Sequence, residues 1–161
     1  MAEVHTEEEY EDEDGHKHYS TLFQGLFGVT EFDNLYNGTI TIRSDNKFFN
    51  LFKDKDRIEM DSSEFEKYFE VVADDKIQAM QIFTSDVMDK MIDFINNSKI
   101  KFELTITRNK IYVRFKTGPV FEANIFKSSV DFDTLKKVFD IINFTFDITK
   151  ALVKSINDTK L

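Results

Sequence analysis

Three histidines are the side chains whose spacing first suggests chemistry: His5, His16 and His18. Residues two apart share one face of a strand, so His16 and His18 would point the same way. Asp14-Gly15, just before them, is a strong hairpin-turn dipeptide. Folded around that turn, His5 would lie across from the pair, and Glu7 or Glu9 would complete a nitrogen and oxygen donor set of the kind that holds zinc. A surface hairpin with incidental histidines accounts for the same residues without a metal. It is the preferred reading, because no fixed-spacing motif of the helix-borne kind is present.

The remaining candidates carry less. A Ser–His–Asp triad needs a buried, oriented histidine, and no serine sits in a nucleophile elbow. Gly25-Leu26-Phe27-Gly28 lacks the third glycine, the lysine and the strand-to-helix context of a phosphate loop. Asp74-Asp75 and the pair Asp54 and Asp56 fall at loop–helix junctions, where acids serve as solvated caps, and the two carboxylates of a glycosidase cannot be picked from them. Eighteen phenylalanines and no tryptophan could line an acyl-chain pocket, but their periodic placement is what a core requires. The absence of cysteine removes disulfides, thiolate metal sites and thiol nucleophiles together. The sequence therefore nominates no catalytic residue, no metal ligand, no cofactor and no identifiable binding residue.

Charge narrows the partners. The formal net charge is −9, yet eight acids and no Lys or Arg fall in the first fourteen positions. The other 22 acidic and 21 basic residues leave residues 15–161 at −1. Nothing resembles a basic stripe, which argues against nucleic acid and against an anionic membrane surface. Composition alone reads the acidic run as a disordered tail, with a charged strand as its rival. No stretch approaches the ~18 consecutive apolar residues of a membrane span, and no secretory leader opens the chain, so a soluble chain is expected.

At 161 residues, 41% of them hydrophobic, the chain suits a single domain over residues 1–161. Tyr19 to Phe32, with Phe23, Phe27 and Val29 at even spacing and glycines inside, reads as a bent or bulged strand. Asn37-Gly38 marks a turn before a short strand, Thr39 to Arg43. Residues 44–64 are hard to read: Phe48, Phe49, Leu51 and Phe52 fit a helical turn, Arg57 to Met60 a short strand, and Asp61-Ser62-Ser63 a loop or cap. Glu70-Val71-Val72 looks extended, and Asp75 to Phe83 forms a helical turn or two. Thr84 or Ser85 caps a helix over 85–97, with Asp86 in its first turn and Val87, Met88, Met91, Ile92 and Ile95 at helical spacing.

The clearest strand signal runs from Ile100 to Phe115. A two-residue loop at Arg108-Asn109 pairs Ile106 with Ile111, Leu104 with Val113 and Phe102 with Phe115, all on one face. Beyond Gly118-Pro119, the residues Phe121, Ala123 and Ile125 read as an edge strand. From about Asp131 to Ile156, the residues Phe132, Leu135, Phe139, Ile142, Phe146, Thr149, Val153 and Ile156 keep a three-four spacing, the seam of a coiled coil. Val138, Ile141, Ile148 and Leu152 widen that stripe, and a wide stripe suits a helix laid across its own sheet. The seam is therefore expected to bury inside the domain and leave a monomer. An intermolecular coil, giving a dimer, is the alternative.

Phe23-Gln24-Gly25-Leu26-Phe27, then Glu64-Phe65-Glu66-Lys67-Tyr68-Phe69-Glu70-Val71, then Asp75 to Thr84, then Phe121-Glu122, occur in this order. Together they resemble the bacterial family called domain of unknown function 3137, over about residues 3 to 155. In that family a soluble α+β region follows a membrane hairpin of two apolar helices, which this chain lacks, and no catalytic residues are established that could be transferred. The family tends to have Asn-Gly where this chain has Arg108-Asn109, and Asn109 can still adopt a left-handed conformation. The resemblance also favours an ordered N-terminal acidic hairpin over residues 2–30 rather than a tail. The expected architecture is α+β, a mostly antiparallel β-sheet packed against a short helix and a long C-terminal helix. The resemblance implies a non-catalytic interaction or scaffold module of a membrane-associated protein, in the cytoplasm or on its side of the membrane. An unidentified protein is the expected partner, and contact with the membrane would come only through an anchor outside this chain. The alternatives are an apolar-ligand or lipid carrier and, on the histidine hairpin, a metal-dependent hydrolase.

Overall fold

The computed structural model describes residues 1–44, 57–120 and 132–159. Its elements in chain order are β1 (Ala2–Glu11), β2 (Lys17–Ser44), β3 (Arg57–Ile58), β4 (Phe69–Ala73), α1 (Lys76–Ile82), α2 (Ser85–Ser98), β5 (Phe102–Phe115) and α3 (Phe132–Asp158). The architecture is α+β, an antiparallel sheet with helices on one face. The phenylalanine-rich segment at 48–52 and the strand expected at 121–125 lie outside the described residues.

The alternation over β5 folds back on itself. A straight strand of this length would extend about 46 Å, whereas the Phe102 and Phe115 rings are 5.8 Å apart. The Arg114 guanidinium donates to Glu103 at 2.8 Å, and Lys116 N donates to Lys101 O at 3.2 Å. These contacts require the two-residue turn at Arg108-Asn109. Phe102, Leu104, Ile106, Ile111, Val113 and Phe115 are all buried, as the alternation demands. The left-handed residue of the turn is Arg108 (φ 53°), not Asn109. A positive φ at the first loop position alone follows the type II′ pattern of signs, and that twist suits a hairpin.

β2 wraps this hairpin on both sides. Its residues 26–31 pair with 115–110, its residues 39–43 pair with 107–103, and Tyr36 lies opposite Arg108 at the tip. Asn37-Gly38 therefore does not separate two strands by a tight turn. The chain instead shifts register between Glu31 and Thr39 while it rounds the tip. On their outer edges, residues 17–27 of β2 pair with β1 and residues 40–44 with β4, which carries β3 beyond it.

Rounding the tip buries Tyr36 to 1% exposure, and its hydroxyl has no hydrogen-bond partner among the described residues. Burial, then the charges of Asp75 and Asp74, push its pKa up to about 12. A raised folded value means this contribution to stability is whole below the ordinary tyrosine pKa near 10 and is lost as pH climbs towards 12. In an ultraviolet titration Tyr36→Phe should remove the latest-ionising tyrosine, the hydrogen bond to Glu9 raising Tyr19 as well. Tyr36→Phe should also change stability by less than about 1 kcal/mol, since a buried hydroxyl without a partner contributes desolvation cost and no bond. A larger loss in chemical denaturation would mean the hydroxyl is bonded.

The helices cover the inner face. Asp75 caps α1, accepting from Ile77 N at 2.8 Å and Gln78 N at 3.1 Å, while Asp74 accepts from Thr39 N at 2.8 Å. Asp75 is thus a helix cap, whereas Asp74 satisfies a backbone amide of β2. Thr84 occupies the cap position of α2 without a side-chain bond, and Lys99 in the left-handed region closes the helix. Phe94 of α2 stacks on Phe144 of α3 at 4.0 Å and meets the edges of Phe102 and Phe115. Phe69 touches Phe102 from β4 and stacks on Phe65. At the far end of α3, the buried Ser155 hydroxyl donates to Ile82 O at 2.8 Å, a carbonyl left open where α1 ends.

The long helix corrects one expectation. The face of α3 that packs inward consists of Ile141, Phe144, Ile148, Leu152 and Ile156. The expected seam residues Phe132, Leu135, Phe139, Ile142 and Phe146 lie outward, 49–76% exposed, while Val153 is half-buried and Thr149 and Ile156 are buried. The reason is geometric. A strict seven-residue pattern drifts about 20° per heptad around a straight helix. Ile141, Phe144 and Ile148 lie two residues, about 200°, beyond Phe139, Ile142 and Phe146, so the latter face water when the former pack inward. The drift brings only the last seam residues round towards the sheet.

Candidate functional site

The N-terminal ribbon is ordered despite its charge. Ala2–Glu11 pair with residues 27–17 of β2, with a bulge between Thr6 and Glu7. Glu13-Asp14-Gly15 forms a three-residue loop in which Gly15 (φ 81°) supplies the left-handed residue, and Asp12 and His16 close it through a 3.0 Å backbone bond. The Asp12 carboxylate accepts from Asp14 N and His16 N and contacts His18 at 2.7 Å, and the His18 ring stacks on Tyr10.

This geometry splits the histidines. His5 is opposite Gln24 and contacts Glu7 at 3.4 Å, whereas His18 is opposite Tyr10 near the loop. Five ribbon positions at about 3.3 Å each separate the two sites. Glu9 is engaged by Lys17 and Tyr19 instead. Among the described residues no three ligand-type side chains converge, so His5, His16 and His18 do not form the donor set considered above.

At the ribbon tip two exposed carboxylates are held by hydrogen-bonding partners. Contact with His18, then the His16 amide, holds the Asp12 carboxyl below its ordinary value, and Lys17, then Tyr19, do the same for Glu9. Depressed folded values mean that these contacts stabilise the tip above the ordinary carboxylate range and fade as pH falls through the folded values, below about pH 4. Amide exchange at pH 6 and pH 3 should show protection lost first over residues 9–18. Equal loss in ribbon and core would contradict this.

Two surface clefts among the described residues have polar walls. One of about 340 Å³ is lined by residues including Phe27, Glu103, Thr105, Thr107 and Tyr112, and one of about 160 Å³ by residues including Ser44, Lys101, Glu103, Arg114 and Lys116. Around them the outer face of the sheet carries Thr–Thr contacts (39 with 107, 41 with 105) and the pairs Arg43–Glu70 and Arg114–Glu103. These groups satisfy one another and aim no nucleophile at a base. Gly25 and Gly28 are buried in β2 beside β5, away from any helix start, and Asp54 and Asp56 lie outside the described residues.

The feature the sequence misassigned is the outer face of α3. Phe132, Leu135, Phe139, Ile142 and Phe146 form one stripe along four turns, roughly opposite the face that packs on Phe94 and Phe102. Taking about 200 Å² for a whole aromatic side chain and somewhat less for Leu and Ile, exposures of 49–76% leave roughly 600 Å² of apolar surface on the stripe. That reaches the upper end of the largest patch found on ordinary monomers, and patches of that size are often functional. The available signal was position: Ile141, Phe144 and Ile148 each fall two residues after a stripe residue, Phe139, Ile142 and Phe146, which is about 200° around the helix.

An α+β sheet clasped by one strand, with a helix apolar on two faces, is thus the class of domain described here. The chain belongs to the family described as Protein of unknown function (DUF3137), whose profile matches residues 21–154. The match begins at Thr21, so β1 and the ribbon tip lie outside it. No curated protein and no solved structure matches the chain. Among the described residues no helix is long and apolar enough to cross a membrane.

Proposed function

We propose that this domain is a non-catalytic interaction module, a scaffold element of a membrane-associated bacterial protein acting on the cytoplasmic side. The observation that carries the reading is the outward stripe of α3, five large apolar side chains held rigidly by the helix's other face. Association with a membrane rests on the family resemblance, in which an equivalent region follows two apolar helices, and not on a feature of this chain. The core supports a packing role for the phenylalanines: Phe94, Phe102, Phe115 and Phe144 fill one another's surroundings at ring distances of 4.0–6.1 Å. The 160 Å³ cleft is walled by Lys101, Glu103, Arg114 and Lys116, chemistry ill suited to an acyl chain.

Site-specific photocrosslinking tests the reading. A photoreactive benzoylphenylalanine in place of Phe139, in the full-length protein inside the producing cell, should give discrete cross-linked species. The same group in place of Asp147, beside the stripe, should give far fewer. Equal yields from both positions would contradict an interaction role for this face.

A further inference from the structure

We propose that the outer stripe of α3 docks against the same stripe of a second copy of this chain, forming a two-fold helix pair. This deepens the interaction-module reading and rests on it. Three observations select a second copy over other occupants. The exposed residues keep the three-four spacing of a coiled-coil seam, Phe132, Phe139 and Phe146 alternating with Leu135 and Ile142, a pattern that matches another helix of the same repeat. Two such stripes would bury about 1,200 Å² together, which clears the ~1,000 Å² expected of a specific interface.

The flanks supply the third. Over residues 132–150 the charges are Asp133, Asp140 and Asp147 against Lys136, Lys137 and Lys150, a net of zero. Lys136 is paired with Asp140 at 3.0 Å, and Lys137 donates to Thr117 O at 3.1 Å. Two copies can therefore approach without the repulsion that the acidic ribbon would impose elsewhere. A helix that lies on an anionic lipid surface needs an excess of Lys or Arg on its polar face, and this one has none. A two-fold pair is also isologous, so one stripe completes its own partner and the assembly closes at two. The monomer expected above rested on the seam burying internally, and over its first four turns it does not.

Sedimentation equilibrium of the full chain over a hundredfold concentration range should show a monomer–dimer equilibrium. Phe139→Asp should weaken dimerisation at least about a hundredfold while the circular dichroism and melting profile stay those of the parent. Asp147→Ala, at an exposed position about 100° around the helix from Phe146, should leave dimerisation unchanged. A monomer at every concentration, or a dimer indifferent to Phe139→Asp, overturns the proposal. Should Phe139→Asp fail to fold, Phe146→Ser makes the same test nearer the well-packed centre of α3. The photocrosslink at position 139 separates this claim from the reading beneath it. A product of twice the chain mass supports the second copy. A product of another mass, including one with a lipid, overturns the second copy and keeps the module. No product overturns both.

Discussion

Phe102→Ala should cost about 3–5 kcal/mol, the range for emptying an aromatic site in a packed core. Phe102 is 2% exposed and touches four rings, those of Phe69, Phe94, Phe115 and Phe144, contributed by β4, α2, β5 and α3. No neighbour can collapse into the gap without abandoning another ring, so cavity and transfer losses add. Urea denaturation should show a lower midpoint with an unchanged slope. Phe27→Ala, on the half-buried outer face of the same sheet, should cost clearly less. Equal losses would mean the β5 register is wrong by one residue.

Gly25→Ala should be the most damaging change outside the core. A Cβ at Gly25 would stand 2.0 Å from Phe115 O and 2.9 Å from Thr117 N, backbone atoms that cannot rotate away. Either β2 lifts off the end of β5 or the ladder shifts, and strain of this kind costs about 2–4 kcal/mol. The damage should be local. β1 and residues 17–25 of β2 form a two-stranded ribbon beyond the rest of the sheet, and such ribbons are marginal alone. Amide exchange should therefore rise through residues 3–23, while α2 and the β5 hairpin keep their protection. Uniform loss across the molecule would show that the ribbon is not a separate unit.

The sheet was legible where period and turn length agreed. Alternation from Ile100 to Phe115 with one two-residue break admits a single register, and the structure has it. The acidic ribbon was legible only through Asp14-Gly15 and the family likeness, because its composition alone suggests disorder. The path of β2 was not legible. Asn37-Gly38 carries a strong turn signal, but the tip of β5 is close enough to Tyr36 for pairing to continue through it. Local propensity cannot report a tertiary neighbour.

The long helix was misread for the opposite reason. Its extent was plain, but it carries apolar residues on two faces, and a strict heptad drew attention to the wrong one. Ile141, Phe144, Ile148 and Leu152 follow the 3.6 period of a straight helix and match the inward face better than the seam does. As for the candidate site, the histidine hairpin formed as expected, but hairpin register, invisible without the bulge and loop length, moved His5 and His18 apart.

The account turns on α3 having one face for its own sheet and another left open, and thiol accessibility tests this most directly. The chain contains no cysteine, so single substitutions report one position each. In dilute solution, where any association is reversed, Phe139→Cys should react with a thiol reagent at nearly the rate of the unfolded chain. Ile148→Cys, at a fully buried position, should react only as fast as the protein opens. Slow labelling of Phe139→Cys at every dilution, matching that of Ile148→Cys, would contradict the account, because the outer face would then be covered by the chain itself.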